Sequence, residues 1–371
     1  YGTNEYANNG GGALLCRLRL MSNCIVRSCV AESYGFGGGV ATLGAQYGGP
    51  INITHCTLEQ NQARYGGGVS IRWGGSVVME NCLVESNSVS SWGGGMFVDN
   101  CHGVRNCLVI NNHSDSLGGG VYAGNSVGLY NCTLAGNMAA GQGSGVYLSS
   151  MTTPTTLKNC IINETDPVGV ANSLLANVIQ YCCAPVSLDG AGNIVADPLF
   201  VSMVFGDYHL LGNSPCVDAG TNLVTVASDM DGITRPQDGD FDGTARYDVG
   251  CYEYNSLTHY VATNPPASAY PYNTWTTAAT NLQDAVDAAA NGDTVLVSDG
   301  VYAGVAITGS VMAVSVNGPV ETVINGRGAA RCAYVANGAR LAGFTLTNGY
   351  ADVGGSVYCD SWNGTVSNCI V

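Results

Sequence analysis

The chain has 371 residues, long enough for one extended domain or two to three ordinary ones. Charged residues make up 11%, Lys and Arg number 12 against 27 Asp and Glu, and Gly reaches 52, a composition in which few helices could be written. The net charge of −15 repels phosphate backbones and anionic lipid, which disfavours nucleic-acid and membrane partners, and no apolar run approaches the ~18 residues of a membrane span.

From the N-terminal end, triple glycines or near versions begin at Gly10, Gly37, Gly66, Gly93, Gly118 and Gly143, about 25 to 29 residues apart. Between them fall Asn23-Cys24, His55-Cys56, Asn81-Cys82, Asn106-Cys107, Asn131-Cys132 and Asn159-Cys160. Each cysteine is followed two positions on by an aliphatic residue: Val26, Leu58, Val84, Val109, Leu134 and Ile162. Alternation with period two puts both on one face of a strand, pointing inward. Five residues after the cysteine stand Asn61, Asn87, Asn112 and Asn137, with Cys29 and Thr165 in the flanking repeats. An asparagine at such a turn can bond the backbone and its counterpart one layer away.

A unit of this length cannot bury its own apolar face and must stack. The expected fold is all-β: a right-handed parallel β-helix whose rungs lie ~4.8 Å apart, with the glycines at tight turns and the cysteines as an internal column of free thiols. Five Asn-x-Ser/Thr sequons, at Asn52, Asn112, Asn131, Asn163 and Asn363, read as by-products of an Asn- and Thr-rich repeat.

The GGGVY and NCxL…N pattern resembles the β-helix repeat proteins of bacterial surfaces and is similar to the GGA(I/V/L) and FxxN repeats of chlamydial polymorphic outer-membrane proteins. Further along come GNIVADPLFV (192–201), DYHLLGNSPCVDAG (207–220), SDMDGITRP (228–236) and DGTARYDVGCYEY (242–254). This ordered run resembles the closing region of extracellular β-helix proteins of the choice-of-anchor group. It departs in carrying Cys251 where a small residue is usual, which makes Cys216–Cys251 a candidate disulfide with a free pair as the alternative. Asp229, Asp231, Asp238, Asp240, Asp242 and Asp248 fall in the same region. DGDFDG (238–243) has the alternating carboxylates of a Ca²⁺ loop without the twelfth-position Glu, so calcium binding and a solvated capping loop both stand open.

After a Pro- and Tyr-rich passage (262–275) the one convincing helix is expected from an N-cap at Asn281, along the stripe Leu282, Ala285, Val286 and Ala289, to Gly292. Such a helix suits the open mouth of a β-helix. The rest reads as opening rungs of a second β-helix, giving coils at 1–200, a closing region at 201–257, and linker, cap helix and new coils at 258–371. SNCIV at 22–26 returns at 367–371, and TNEYANNGG (3–11) returns as TNGYADVGG (347–355). The expected function is therefore an exported, extracellular structural subunit that joins head to tail with copies of itself, through Thr3, Asn4, Tyr6, Asn23 and Cys24 at one end and Thr347, Asn348, Tyr350, Asn368 and Cys369 at the other.

Two alternatives stand beside it, a surface adhesin contacting glycans through outward aromatics and a polysaccharide lyase or hydrolase. For the latter no catalytic constellation is recognisable: there is no Asp-Asp pair, no Gly-His-Gly and no Arg-x-Lys, and Lys158 is the single lysine. Arg72 and Arg105 suit shielding roles, His55 a turn role, and Cys101-His102 with Cys107 is an incomplete metal pattern.

Overall fold

The structure, a computed structural model, describes every residue except 1–10, 16–19, 33–34, 43–49, 73–76, 102, 151, 171–176, 240–242, 256, 290–291 and 361–363. It forms two compact units, one comprising Tyr1–Leu210 with Ser214–Tyr254, the other Leu211–Asn213 with Asn255–Val371.

The first unit is a parallel β-solenoid. Among the described residues, strands that follow the glycines stack into one seven-stranded sheet running from Ala13–Leu15 to Val168–Val170. Strands that follow the cysteines form an eight-stranded sheet from Ile25–Arg27 to Ile194–Val195, and strands that precede them a seven-stranded sheet from Leu20–Ser22 to Val178–Gln180. Registers hold across rungs: Leu83 pairs with Leu108, Leu108 with Thr133, and Thr133 with Ile161.

The residue before each cysteine turns the chain in the left-handed region. Asn23, His55, Asn81, Asn106, Asn131 and Asn159 have φ between 45 and 53°. Asparagine tolerates this conformation better than other side chains. The glycines serve close approach as well as turning. A Cβ on Gly94 would lie 2.2 Å from the Gly119 carbonyl oxygen of the next rung.

Cys56, Cys82, Cys107, Cys132 and Cys160 are buried with Leu58, Val84, Val109, Leu134 and Ile162 in one core, as the alternation requires. All are free thiols. Each reaches a carbonyl two residues back, as Cys107 Sγ does to Arg105 at 3.1 Å and Cys82 Sγ to Glu80 at 3.2 Å. Cys182 extends the column, with Tyr181 in the left-handed position at φ 53°. The spacing alone did not single it out.

A second buried column runs beside it. Cys29 N–H donates to Asn61 Oδ1, and Asn61 Nδ2 to Asn87, Asn87 to Asn112 and Asn112 to Asn137, at 2.9 to 3.1 Å. The ladder ends on Glu164, not on Thr165, because Asn137 Nδ2 donates to Glu164 Oε1 at 2.9 Å.

In the second unit the described strands form one five-stranded and two three-stranded parallel sheets. The helix spans Leu282–Ala288, stopping four residues short of Gly292, with Asn281 Oδ1 accepting from Gln283 N–H at 3.0 Å. Leu282, Ala285 and Val286 join that unit's core with Val261, Val295 and Phe344.

Candidate functional site

The closing region folds back along the first solenoid, and the left-handed asparagines hold it there. Asn106 Nδ2 donates to Ser228 O, Asn131 Nδ2 to Asp248 O and Gly250 O, and Asn159 exchanges hydrogen bonds with Thr221. Asn131, under this segment, and Asn112, inside the amide ladder, are both buried, which removes both sequons as glycan acceptors.

The carboxylates proposed for calcium are mostly committed to the backbone. Asp229 Oδ1 accepts from Asp231 and Ile233 N–H, and its Oδ2 from Glu253 N–H at 2.8 Å. Asp248 accepts from Asp218 N–H at 2.7 Å and from Tyr254 N–H. Asp231 Oδ2 binds His209 Nε2 at 2.7 Å, while His209 Nδ1 meets Asp207 at 2.6 Å and the ring stacks on Tyr252. Asp238 accepts from Gly243 N–H; Asp240 and Asp242 lie outside the described residues. Among the described residues no group of three or more His, Cys, Asp or Glu side chains is placed to hold a metal ion.

Asp248 and Glu253 of this region close a buried polar knot around Arg235. Its guanidinium donates to Glu253 Oε2, Asp248 O and Gly250 O. Burial pushes the Glu253 carboxyl up to about 7, against the lowering effect of Arg235, and holds Asp248 well above the usual carboxylate range. Cys216 and Cys251 do not form a bridge. Both are buried free thiols, and Cys251 packs with Leu108, Ile110 and Tyr208, its N–H donating to Thr133 Oγ1 at 3.0 Å, while Cys216 shares a separate apolar cluster with Cys183.

The residues expected at an assembly join divide between the two units. Asn23 and Cys24 belong to the first unit, Thr347, Asn348, Tyr350, Asn368 and Cys369 to the second, and Thr3, Asn4 and Tyr6 lie outside the described residues. The recurring SNCIV does take the same local form in both places. Asn23 and Asn368 have φ 53 and 48°, and Cys24 and Cys369 Sγ reach the serine carbonyl two residues back at 3.3 and 3.2 Å. His102 is outside the described residues, and His55 Nε2 contacts Asn81 Nδ2 at a turn.

A feature of the first unit that sequence reading left unplaced is an outward aromatic strip. Residues immediately before the triple glycines supply Phe36, Tyr65 and Trp92; the middle residue of the following strands supplies Phe97, Tyr122 and Tyr147. The rings stack along the solenoid: Phe36 on Tyr65 at 4.6 Å, Trp92 on Tyr122 at 5.1 Å, Phe97 on Tyr122 at 5.0 Å and Tyr122 on Tyr147 at 5.5 Å between centroids. The Arg72 guanidinium lies 3.8 Å over Phe36 and caps one end. At the other end Tyr147 pairs with Gly169, where a Cβ would come within 2.9 Å of the ring. The aromatic flanking the glycines on both sides was the available signal.

Residues 3–177 match a family model described as a right handed beta helix region. No curated protein matches the chain significantly. A solved structure of a mutant of the PL6-family alginate lyase AlyGC is similar over 96% of this chain and 49% of its own length, with 11% identity and a TM-score of 0.37; the chain thus spans about half the length of that lyase. The stacked parallel sheets of the first unit, the two sequence landmarks that build them and the family match over residues 3–177 agree on a right-handed parallel β-helix in that part of the chain.

Proposed function

We propose that the chain is an exported glycan-binding scaffold, with the aromatic strip of the first unit as its contact surface. The observation that carries this reading is the six-ring strip from Phe36 to Tyr147 on the outer face of successive rungs, in which five rings are half-buried against one another and Tyr122 is buried among them. Aromatic side chains offer large, stiff apolar area with polar edges, and a repeating saccharide presents apolar C–H faces at regular intervals. A rigid solenoid keeps such a strip straight without ordering cost on binding. The near absence of Lys and the wealth of Asn, Gly, Ser and Thr support an exported setting.

Affinity electrophoresis against neutral and acidic polysaccharides tests the reading. The protein is retarded by at least one glycan, and W92A with Y147A, both half-buried rings, reduces retardation at least tenfold while preserving the melting temperature to within a few degrees. No retardation by any glycan, or retention unaffected by both substitutions, overturns it. Release of shortened products would replace binding by catalysis as the role of this surface.

A second reading is a tandem or head-to-tail array of such units, favoured by the matching geometry of SNCIV at 22–26 and 367–371. Sedimentation velocity over a hundredfold concentration range tests it through the appearance of lengthening species; a single species throughout rejects self-assembly.

A further inference from the structure

On the outer face of the sheet that precedes the cysteines, parallel register lines up Glu80, Arg105, Tyr130, Lys158 and Gln180 on five successive rungs. The fold-back segment passes over this column. Asn159 fixes it at Thr221, and Arg105 Nη1 donates to Thr225 O at 3.2 Å. Beneath Asn222–Thr225 this leaves a cavity of about 460 Å³ lined also by Tyr130, Thr156, Lys158 and Val178. That volume lies within the range of small-molecule sites.

The lining is informative in its charge. The chain carries 27 acidic residues and a single lysine, and that lysine opens into this groove. Among the described residues the Lys158 ammonium has no hydrogen-bond or ion-pair partner, although a charged donor on a half-buried wall gains from one. One rung away is the Tyr130 ring, and beyond it the Arg105 guanidinium. An ammonium, an aromatic ring, the hydroxyls of Thr156 and Thr225 and the amide of Asn222 form a set that meets a carboxylate, a C–H face and ring hydroxyls together.

We propose that this groove binds a carboxylated sugar, with the carboxylate at Lys158 and the ring against Tyr130. The inference is independent of the aromatic strip, since the two surfaces lie on different sheets and share no residue. An acidic peptide offers the same carboxylate but makes no use of the polar and aromatic wall, and is therefore the weaker occupant.

Because Lys158 is the single lysine, reductive ¹³C-methylation yields one side-chain resonance that reports directly on the groove. Titration with an oligogalacturonate shifts this resonance, the corresponding neutral oligoglucoside does not, and raising the salt weakens the effect. By calorimetry K158Q lowers oligogalacturonate affinity at least tenfold and Y130A at least threefold, both with unchanged melting temperature. Equal binding of the neutral oligomer, equal binding of a polyglutamate peptide, or wild-type affinity in K158Q each overturns the proposal. So does loss of uronate binding in W92A with Y147A, which would assign the ligand to the strip.

Discussion

Asn137 ends the buried amide ladder by giving both its backbone N–H and its Nδ2 to one oxygen of Glu164, at 2.8 and 2.9 Å. Every side-chain amide in the ladder donates in the same direction, so its last member must be an acceptor, and a carboxyl group supplies one. Burial nevertheless dominates and pushes the Glu164 carboxyl from 4.5 up to about 7, with the Asn137 bonds opposing the rise. Between those values the folded chain keeps a proton that the unfolded chain has lost. The stabilising contribution is therefore complete below pH 4.5 and is lost as pH rises toward 7.

E164Q keeps an acceptor for both Asn137 donors and removes the titration. Urea denaturation from pH 4 to pH 8 should show wild-type stability falling relative to E164Q by up to ~3 kcal/mol across that window. Glu253, His209 and His259 are also raised and give losses of the same sign with rising pH, but they are common to both proteins and cancel in the difference. Parallel stability curves would show that Glu164 does not change protonation on folding.

The ladder also shows where sequence was sufficient and where it was not. Asn61, Asn87, Asn112 and Asn137 were legible from a fixed spacing because each rung has a left-handed residue just before the asparagine, at Gln60, Ser86, Asn111 and Gly136. After Cys160 no left-handed residue occurs before Tyr181 among the described residues, the turn is one residue shorter, and the longer Glu164 side chain takes the place expected for Thr165. A counting rule cannot register a missing turn residue.

The Asp-rich closing region was legible as a unit but not in its purpose. Asp229 and Asp248 look like metal ligands or solvated charge in one dimension; only the fold-back brings backbone amides from residues 218, 233, 253 and 254 onto them. The aromatic strip had a local signal beside the glycines, whereas the Lys158 groove needs a segment more than sixty residues downstream and had none.

The commitment of Asp229 to three backbone N–H groups separates a structural role from a calcium role. D229A leaves those amides unsatisfied in a buried turn and should cost ~2–4 kcal/mol by urea denaturation, equally in EDTA and in millimolar calcium. R235L should be at least as damaging, ~3–5 kcal/mol, because it strands the buried Glu253 carboxyl and the Asp248 and Gly250 carbonyls without their donor. Calcium-dependent rescue of D229A, or a large rise in wild-type melting temperature on adding calcium, would restore a metal to this region.

Rung spacing makes some glycines irreplaceable for reasons of contact. In Gly94 the added methyl of alanine would meet the Gly119 oxygen at 2.2 Å and the His113 oxygen at 2.6 Å, both backbone atoms of the adjoining rung that cannot yield separately. G94A should lose at least ~3 kcal/mol or fail to accumulate as soluble protein. At Gly103 the first atom met is the Arg105 Nε at 3.1 Å, on a side chain that can move. G103A should therefore stay within ~1 kcal/mol of wild type, and equal damage from both substitutions would contradict the layer spacing.

The cysteine column makes a prediction about chemistry as well as packing. Thiolate is the reactive form, and desolvation raises Cys107 and Cys160 well above the usual thiol range and Cys101 to about 12, whereas hydrogen bonds from neighbouring thiols lower Cys82 and Cys132, which are therefore protected by burial alone. Cys359 is exposed, and Cys24, Cys29 and Cys369 are half-buried. In the native protein a small alkylating reagent at pH 8 should label Cys359 within minutes, the half-buried thiols more slowly, and Cys56, Cys82, Cys107, Cys132, Cys160 and Cys182 only after urea unfolds the solenoid. Peptide mapping by mass spectrometry reads each site separately. Rapid native labelling of Cys107 or Cys132, at the centre of the column, would mean that the rungs open far more often than their packing implies.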